Sequence, residues 1–159
     1  MSTEKTKPVT MLDSLDGQSP IFPVHLDLQR LDGTMVRVTI QCKAMGKRAW
    51  SRMRREHIDA VQAAEAAFAE QELANSVPTL DAPRPSVPPL DQMVDRGITR
   101  DAAFLANIAD SWSLPQACDA EGLERLEDKF GGALGKLLNA YELAVYQGQL
   151  GNSAPLRAR

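Results

Sequence analysis

Two histidines, two cysteines and a set of clustered carboxylates are the side chains through which this chain would carry out metal or covalent chemistry. His25 falls on the polar side of an alternating stretch and His57 on the apolar side of a helical one. Neither has a second His, Cys or carboxylate at ligand spacing, whereas a zinc site needs three or four converging donors. Cys42 and Cys118 lie far apart without a CxxC pair, which gives neither a disulfide framework nor a zinc knuckle, and both read as reduced, partly buried thiols. There is no HExxH and no P-loop. Gly131, Gly132 and Gly135 follow a helical pattern instead of a strand, which removes the context of a dinucleotide fingerprint. Ser111 and Ser113 lack a nucleophile-elbow setting, and no His in that half of the chain can serve as their base. Asp110, Asp119, Glu121, Glu124, Glu127 and Asp128 concentrate negative charge, but a general acid/base pair also needs a cleft. No catalytic, cofactor or metal residue is assigned, and the chain reads as a non-enzyme.

The elements that would position any site are well marked. With 159 residues, 43% of them hydrophobic, the chain is long enough for one domain or two small ones around a real core. Its net charge of -3 gives no overall pull toward nucleic acid or anionic membrane. The opening MSTEKTKPVT has no apolar signal region and no run approaches the ~20 apolar residues of a bilayer span, so a cytosolic protein is expected. Residues 1–18 show little periodicity, although Val9, Met11, Leu12 and Leu15 offer apolar contacts, and are expected to form a flexible arm. Then Phe22, Val24, Leu26 and Leu28 alternate with His25, Asp27 and Gln29. After Asp32-Gly33, Val36, Val38, Ile40 and Cys42 alternate with Met35, Arg37, Thr39 and Gln41. Two such runs joined by Asp-Gly predict an antiparallel β-hairpin that needs a cover on its apolar face.

A helix from near Gly46 to about Asn75 supplies that cover, with Trp50, Met53, His57, Val61, Ala64 and Phe68 at spacings of three and four. Its first turns carry Lys47, Arg48, Arg52, Arg54 and Arg55, and its last turns Glu65, Glu70 and Glu72. That is the reverse of what the helix dipole favours, which points to a partner or to an antiparallel copy of the same helix, against the simpler reading of a solvated face. Residues 77–89 hold five prolines in thirteen positions and predict an extended linker between a 19–76 hairpin–helix unit and a 90–152 helical bundle. In the bundle, Gly97 is expected to break a short helix. Thr99 caps the next, which carries Ala103, Phe104, Ala106, Ile108 and Ala109 to a corner at Trp112-Ser113-Leu114-Pro115. The last stripe, Leu123, Leu126, Phe130, Leu134, Leu137, Tyr141, Val145 and Gly148, starts at the N-cap candidate Asp119 and stops at Gly151-Asn152. Gly131-Gly132 inside it would cost a single helix roughly 2 kcal/mol, so two helices or a bend are expected there. Residues 153–159 are expected to fray. The fold class is thus α+β, mostly α.

The strings GITRDAAFLANIADSW and EGLERLEDKFGGALGKLLNAYELAVYQGQLGN carry a resemblance. Through Asp110, Trp112, Leu123, Leu126, Phe130, the Ala140-Tyr141 pair and the closing Leu150-Gly151-Asn152, this last third is similar to the C-terminal half of tail assembly chaperones of long-tailed, siphovirus-like bacteriophages and prophages. The resemblance implies a non-virion protein of the host bacterial cytoplasm that binds the tape-measure protein and keeps it soluble during tail morphogenesis. The major tail protein and a second copy of the chain are further candidate partners. The two apolar stripes exceed what one hairpin and a small bundle can cover. Partner binding is therefore expected at Trp50, Met53, Val61 and Phe68 on the long helix and at Leu134, Leu137, Tyr141 and Val145 on the last one. The alternative is a nucleic-acid-binding accessory protein acting through the Lys47–Arg55 basic cluster, against which stand the acidic total and the lack of a reading motif.

Overall fold

The computed structural model describes residues 20–75 and 88–148. The alternating runs form β1 (Ile21–Gln29) and β2 (Met35–Lys43), paired antiparallel so that Phe22, Val24, Leu26 and Leu28 lie opposite Cys42, Ile40, Val38 and Val36. At the turn Gly33 takes φ +85°, a left-handed backbone that favours glycine, while the Asp32 carboxylate accepts from the Thr34 N–H at 2.8 Å. On the wet face the residues directly opposite one another pair. His25 Nδ1 lies 3.0 Å from the Thr39 hydroxyl, and Arg37 donates to both Asp27 oxygens at 2.6 and 2.8 Å.

The long helix α1 runs from Lys47 to Asn75 as expected. The next helix differs from expectation at both ends. It forms as one helix, α2 (Leu90–Leu105), straight through Gly97 and Thr99, where a break and a cap were expected. One interior glycine costs only about 1 kcal/mol, and α2 gains contacts with α1 on both sides of it. The helix also stops before Ile108 and Ala109, because the Asn107 amide donates to the Ala103 and Phe104 carbonyls at 3.1 and 2.9 Å and takes up the acceptors of the last turn. The freed chain becomes β3 (Ala109–Trp112), a strand instead of the expected end of a helix. It pairs antiparallel with β2, giving sheet order β1-β2-β3, and the register slips once so that Asp110 is passed over between Ala109↔Cys42 and Ser111↔Gln41.

Next come α3 (Ala120–Lys129) and α4 (Ala133–Gln147). The Asp119 carboxylate caps α3 by accepting from the Gly122 N–H at 2.8 Å. The two helices meet at Gly131-Gly132, where Gly132 adopts φ +86°. Since Gly132 has no side chain to cap α4, Glu127 reaches across and accepts from the Gly132 and Leu134 N–H groups at 2.7 and 2.8 Å. The stop falls at Gly148, in left-handed backbone, and not at Gly151-Asn152, which lie outside the described residues together with the expected arm 1–18 and tail 153–159. Of the proline-rich 77–89 only Pro88 and Pro89 are described.

The inner face of the sheet, α2, α3, α4 and Trp50 of α1 bury their apolar side chains in one cluster. The fold is α+β and mostly helical, with a hairpin, a long helix and then helices. The proline-rich stretch parts the sequence into two segments, but β3 and the shared cluster join those segments in one core.

Candidate partner-binding trough

Trp50 is where α1 meets the core. It is fully buried, 4.7 Å edge-on from Tyr141 and 5.7 Å from Phe104, and Tyr141 stacks in turn on Phe22 at 5.6 Å. The Tyr141 hydroxyl donates to the Lys43 carbonyl at 2.8 Å, and burial pushes the phenol up to about 12. Trp50 Nε1 is buried without a hydrogen-bond partner among the described residues.

These contacts decide the fate of the residues expected to bind a partner. Trp50, Leu134, Leu137 and Tyr141 are core residues, between 0% and 4% exposed. Met53, Val61, Phe68 and Val145 are half-buried. The two stripes are not left as separate open surfaces. The longer α2 lies against α1, with Arg96 3.9 Å over the Phe68 ring, Arg100 3.6 Å from Glu65, and His57 stacked 3.9 Å from Phe104.

What remains open is a trough beside α4. Between α1, α2 and α4 a hollow of about 350 Å³ has Ile58, Val61, Leu134 and Leu138 on its floor and walls, with Gly135 keeping the α4 side low. Arg54, His57, Arg100 and Asp101 stand on its rim. A separate hollow of about 340 Å³ is lined on α4 by Asn139, Leu143 and Tyr146. The Arg54–Glu142 pair, 3.2 Å apart, stands between the two. Ile58, Leu143 and Tyr146 are 39%, 47% and 40% exposed, which makes this an apolar surface in contact with water. Burial holds His57 below the usual imidazole range, Asp101 at 3.8 Å opposes that, and Arg54 and Arg100 reinforce it. The trough thus has an apolar floor and a rim of paired charges, with Arg54 on Glu142 and Arg100 on Asp101 and Glu65.

The remaining candidates fall elsewhere. Of the basic cluster, Arg54 is paired with Glu142 and Arg55 with Asp59 at 2.9 Å, while Lys47, Arg48 and Arg52 are exposed without an ion pair among the described residues. Burial pushes the Cys42 thiol up to about 12 and raises Cys118 as well, the latter helped by Asp119 and Asp110, so both stay protonated and poorly nucleophilic near neutral pH. Among the described residues no three His, Cys, Asp or Glu side chains gather at a metal-binding distance, and no helix is long and apolar enough to cross a membrane.

The residues that carry the resemblance mark a packing joint. Asp110 sits at the slipped register of β3. The Trp112 indole donates to the Gln116 carbonyl at 2.6 Å, Leu123, Leu126 and Tyr141 are buried, and Phe130 ends α3. At the centre is Gly122, to which no sequence pattern pointed. A Cβ there would collide with the Ala117 carbonyl and lie 3.0 Å from the Trp112 ring. A third, smaller hollow of about 200 Å³ opens between Trp112, Leu114, Leu126 and Phe130, edged by Arg125 and Lys129.

No curated protein and no solved structure matches the chain. A family model described as phage tail assembly chaperone matches residues 1–152, which takes in the hairpin and α1 as well as the last third. The chain belongs to the phage tail assembly chaperone family.

Proposed function

We propose that this protein binds the tape-measure protein and keeps it soluble until the tail tube assembles around it, working in the host cytoplasm and leaving no copy in the finished virion. The observation that carries this reading is the trough between α1, α2 and α4, with Ile58 exposed over a floor of aliphatic side chains, together with the neighbouring hollow on α4 where Leu143 and Tyr146 are exposed. A long helical tape-measure chain presents apolar stripes that need reversible cover. A helical-walled trough receives one face of such a helix through its i, i+3 and i+4 side chains, with no chemical step.

The test is co-expression with the tape-measure protein, comparing the native chain with an Ile58→Glu, Leu143→Glu double variant. Both side chains are exposed, so the variant should melt within about 1 kcal/mol of the native protein yet fail to keep the tape-measure protein soluble. The native complex should survive salt of about 1 M, since apolar association is not screened. A DNA complex that falls apart steeply with salt, alongside tape-measure protein left insoluble, would move the function to Lys47, Arg48 and Arg52 and to nucleic acid.

A further inference from the structure

α1 is 29 residues long and buries one of them, Trp50. The other buried apolar side chains among the described residues all lie in the sheet, in α2, α3 and α4, or in the turn between α2 and β3. Beyond Trp50, Met53 packs half-buried against the core and His57 stacks on Phe104 at 3.9 Å, and the remaining contacts of α1 are ones that water reaches. Ser51 meets the Tyr146 hydroxyl at 2.9 Å, Arg54 meets Glu142, Glu65 meets Arg100, and Arg96 covers Phe68. Ion pairs of this exposure contribute little individually. The indole N–H of Trp50 has no hydrogen-bond partner among the described residues, so release returns a buried donor to water and lowers the cost of opening. Segments with few buried apolar contacts are the ones that open below the global unfolding free energy.

We infer that α1 is a strap. It swings as a unit about residues 44–46 while the sheet and the α2–α4 core stay folded, and its opening bares its own inner stripe together with the facing sides of α2 and α4. Gly46 at the pivot is exposed, and a side chain there would meet nothing. This rests on reading the α4 trough as the tape-measure site and adds its regulation. Closed, the trough shows a narrow apolar strip; open, it shows two apolar stripes that can take a longer helix or a bulkier segment. Binding to the open form then shifts the population toward it.

The experiment is native-state hydrogen exchange by NMR on the full chain at rising, sub-denaturing urea. It compares the Trp50 indole N–H, which a swing of the intact helix exposes, with the amides of Ile40 and Leu137. The indole should exchange at least tenfold faster than those amides, through an opening with a weaker urea dependence than global unfolding. Exchange of the Trp50 indole at the rate of Ile40 and Leu137, with the same urea dependence, would overturn the strap. A strap that opens beside a tape-measure protein left insoluble upholds this inference and removes the proposed function. A soluble complex in which α1 exchanges only by global unfolding overturns the inference and keeps the function.

Discussion

Tyr141 lies on the stripe that the sequence assigns to partner binding, yet it is fully buried, so its replacement separates core from interface. Tyr141→Ala removes a side chain packed against Trp50 and Phe22 and leaves the Lys43 carbonyl without its donor. Truncation of a buried aromatic costs about 3–5 kcal/mol, and the lost hydrogen bond adds roughly 1 kcal/mol. A total of about 4 kcal/mol or more should lower the melting temperature by about 10 °C or more in a domain of this size. Tyr141→Phe keeps the ring and loses only the hydroxyl, so it should cost about 1–2 kcal/mol. Urea denaturation followed by circular dichroism gives both values. If Tyr141→Ala melts with the native protein while tape-measure solubility is lost, the side chain acts at the interface and the packing argument is wrong.

Four other outcomes are expected. Gly122→Ala should destabilise by about 1–3 kcal/mol in a thermal melt, because the methyl group has to displace the Ala117 carbonyl or the Trp112 ring. Glu127→Ala should cost about 1–2 kcal/mol in urea denaturation, since two N–H groups at the start of α4 lose their acceptor. Tyr141 and Cys42 both have raised folded-state values of about 12, against 10.0 and 9.0. Their protonated forms are favoured by the fold, so that stability is fully present below pH 9 and is lost between about pH 9 and 12; a pH series of melts should show this, with a shallower fall for Tyr141→Phe. Cleavage at a protease site introduced within 77–87 should leave two fragments that co-elute on size exclusion, because the β2–β3 ladder and the core cross the cut.

The hairpin was legible because one face of each strand is buried, which forces strict alternation, and the α3–α4 joint because Gly131-Gly132 penalises a continuous helix. β3 was not legible. Four residues, Ala109 to Trp112, are too few to establish a period, and the helical pattern ran on into Ile108 and Ala109. Asn107 was the available signal, as a residue able to cap the preceding carbonyls. Gly122 gave no signal, since its need for a bare α-carbon comes from Trp112 and Ala117, which only the fold brings against it. The site suffered most. Periodicity shows that a stripe must be covered but not what covers it, and the cover came from α2 on both sides of Gly97, where a break was expected. The exposed Leu143 and Tyr146 that now define the trough lie off the stripe and had no pattern of their own.

The reversed charges of α1 have a physical account in the same packing. Along α1 the contacts with α4 run from Ser51–Tyr146 to Arg54–Glu142, and those with α2 run from His57–Asp101 to Phe68–Arg96, so both neighbours are antiparallel to α1. An antiparallel neighbour places its C-terminus, negative by its dipole, beside the N-terminus of α1, and its N-terminus, positive, beside the other end. Arg54 therefore meets Glu142 near the end of α4, while Glu65 and Phe68 meet Arg100 and Arg96 within α2. Charges that are unfavourable for α1 as an isolated helix become favourable once it is docked, and unfavourable again when it leaves. Antiparallel neighbours are thus supplied by α2 and α4 of the chain itself, where the sequence pointed to a partner or to an antiparallel copy of α1. Lys47, Arg48 and Arg52, which this docking leaves without an ion pair among the described residues, are the part of the cluster still open to an external anion.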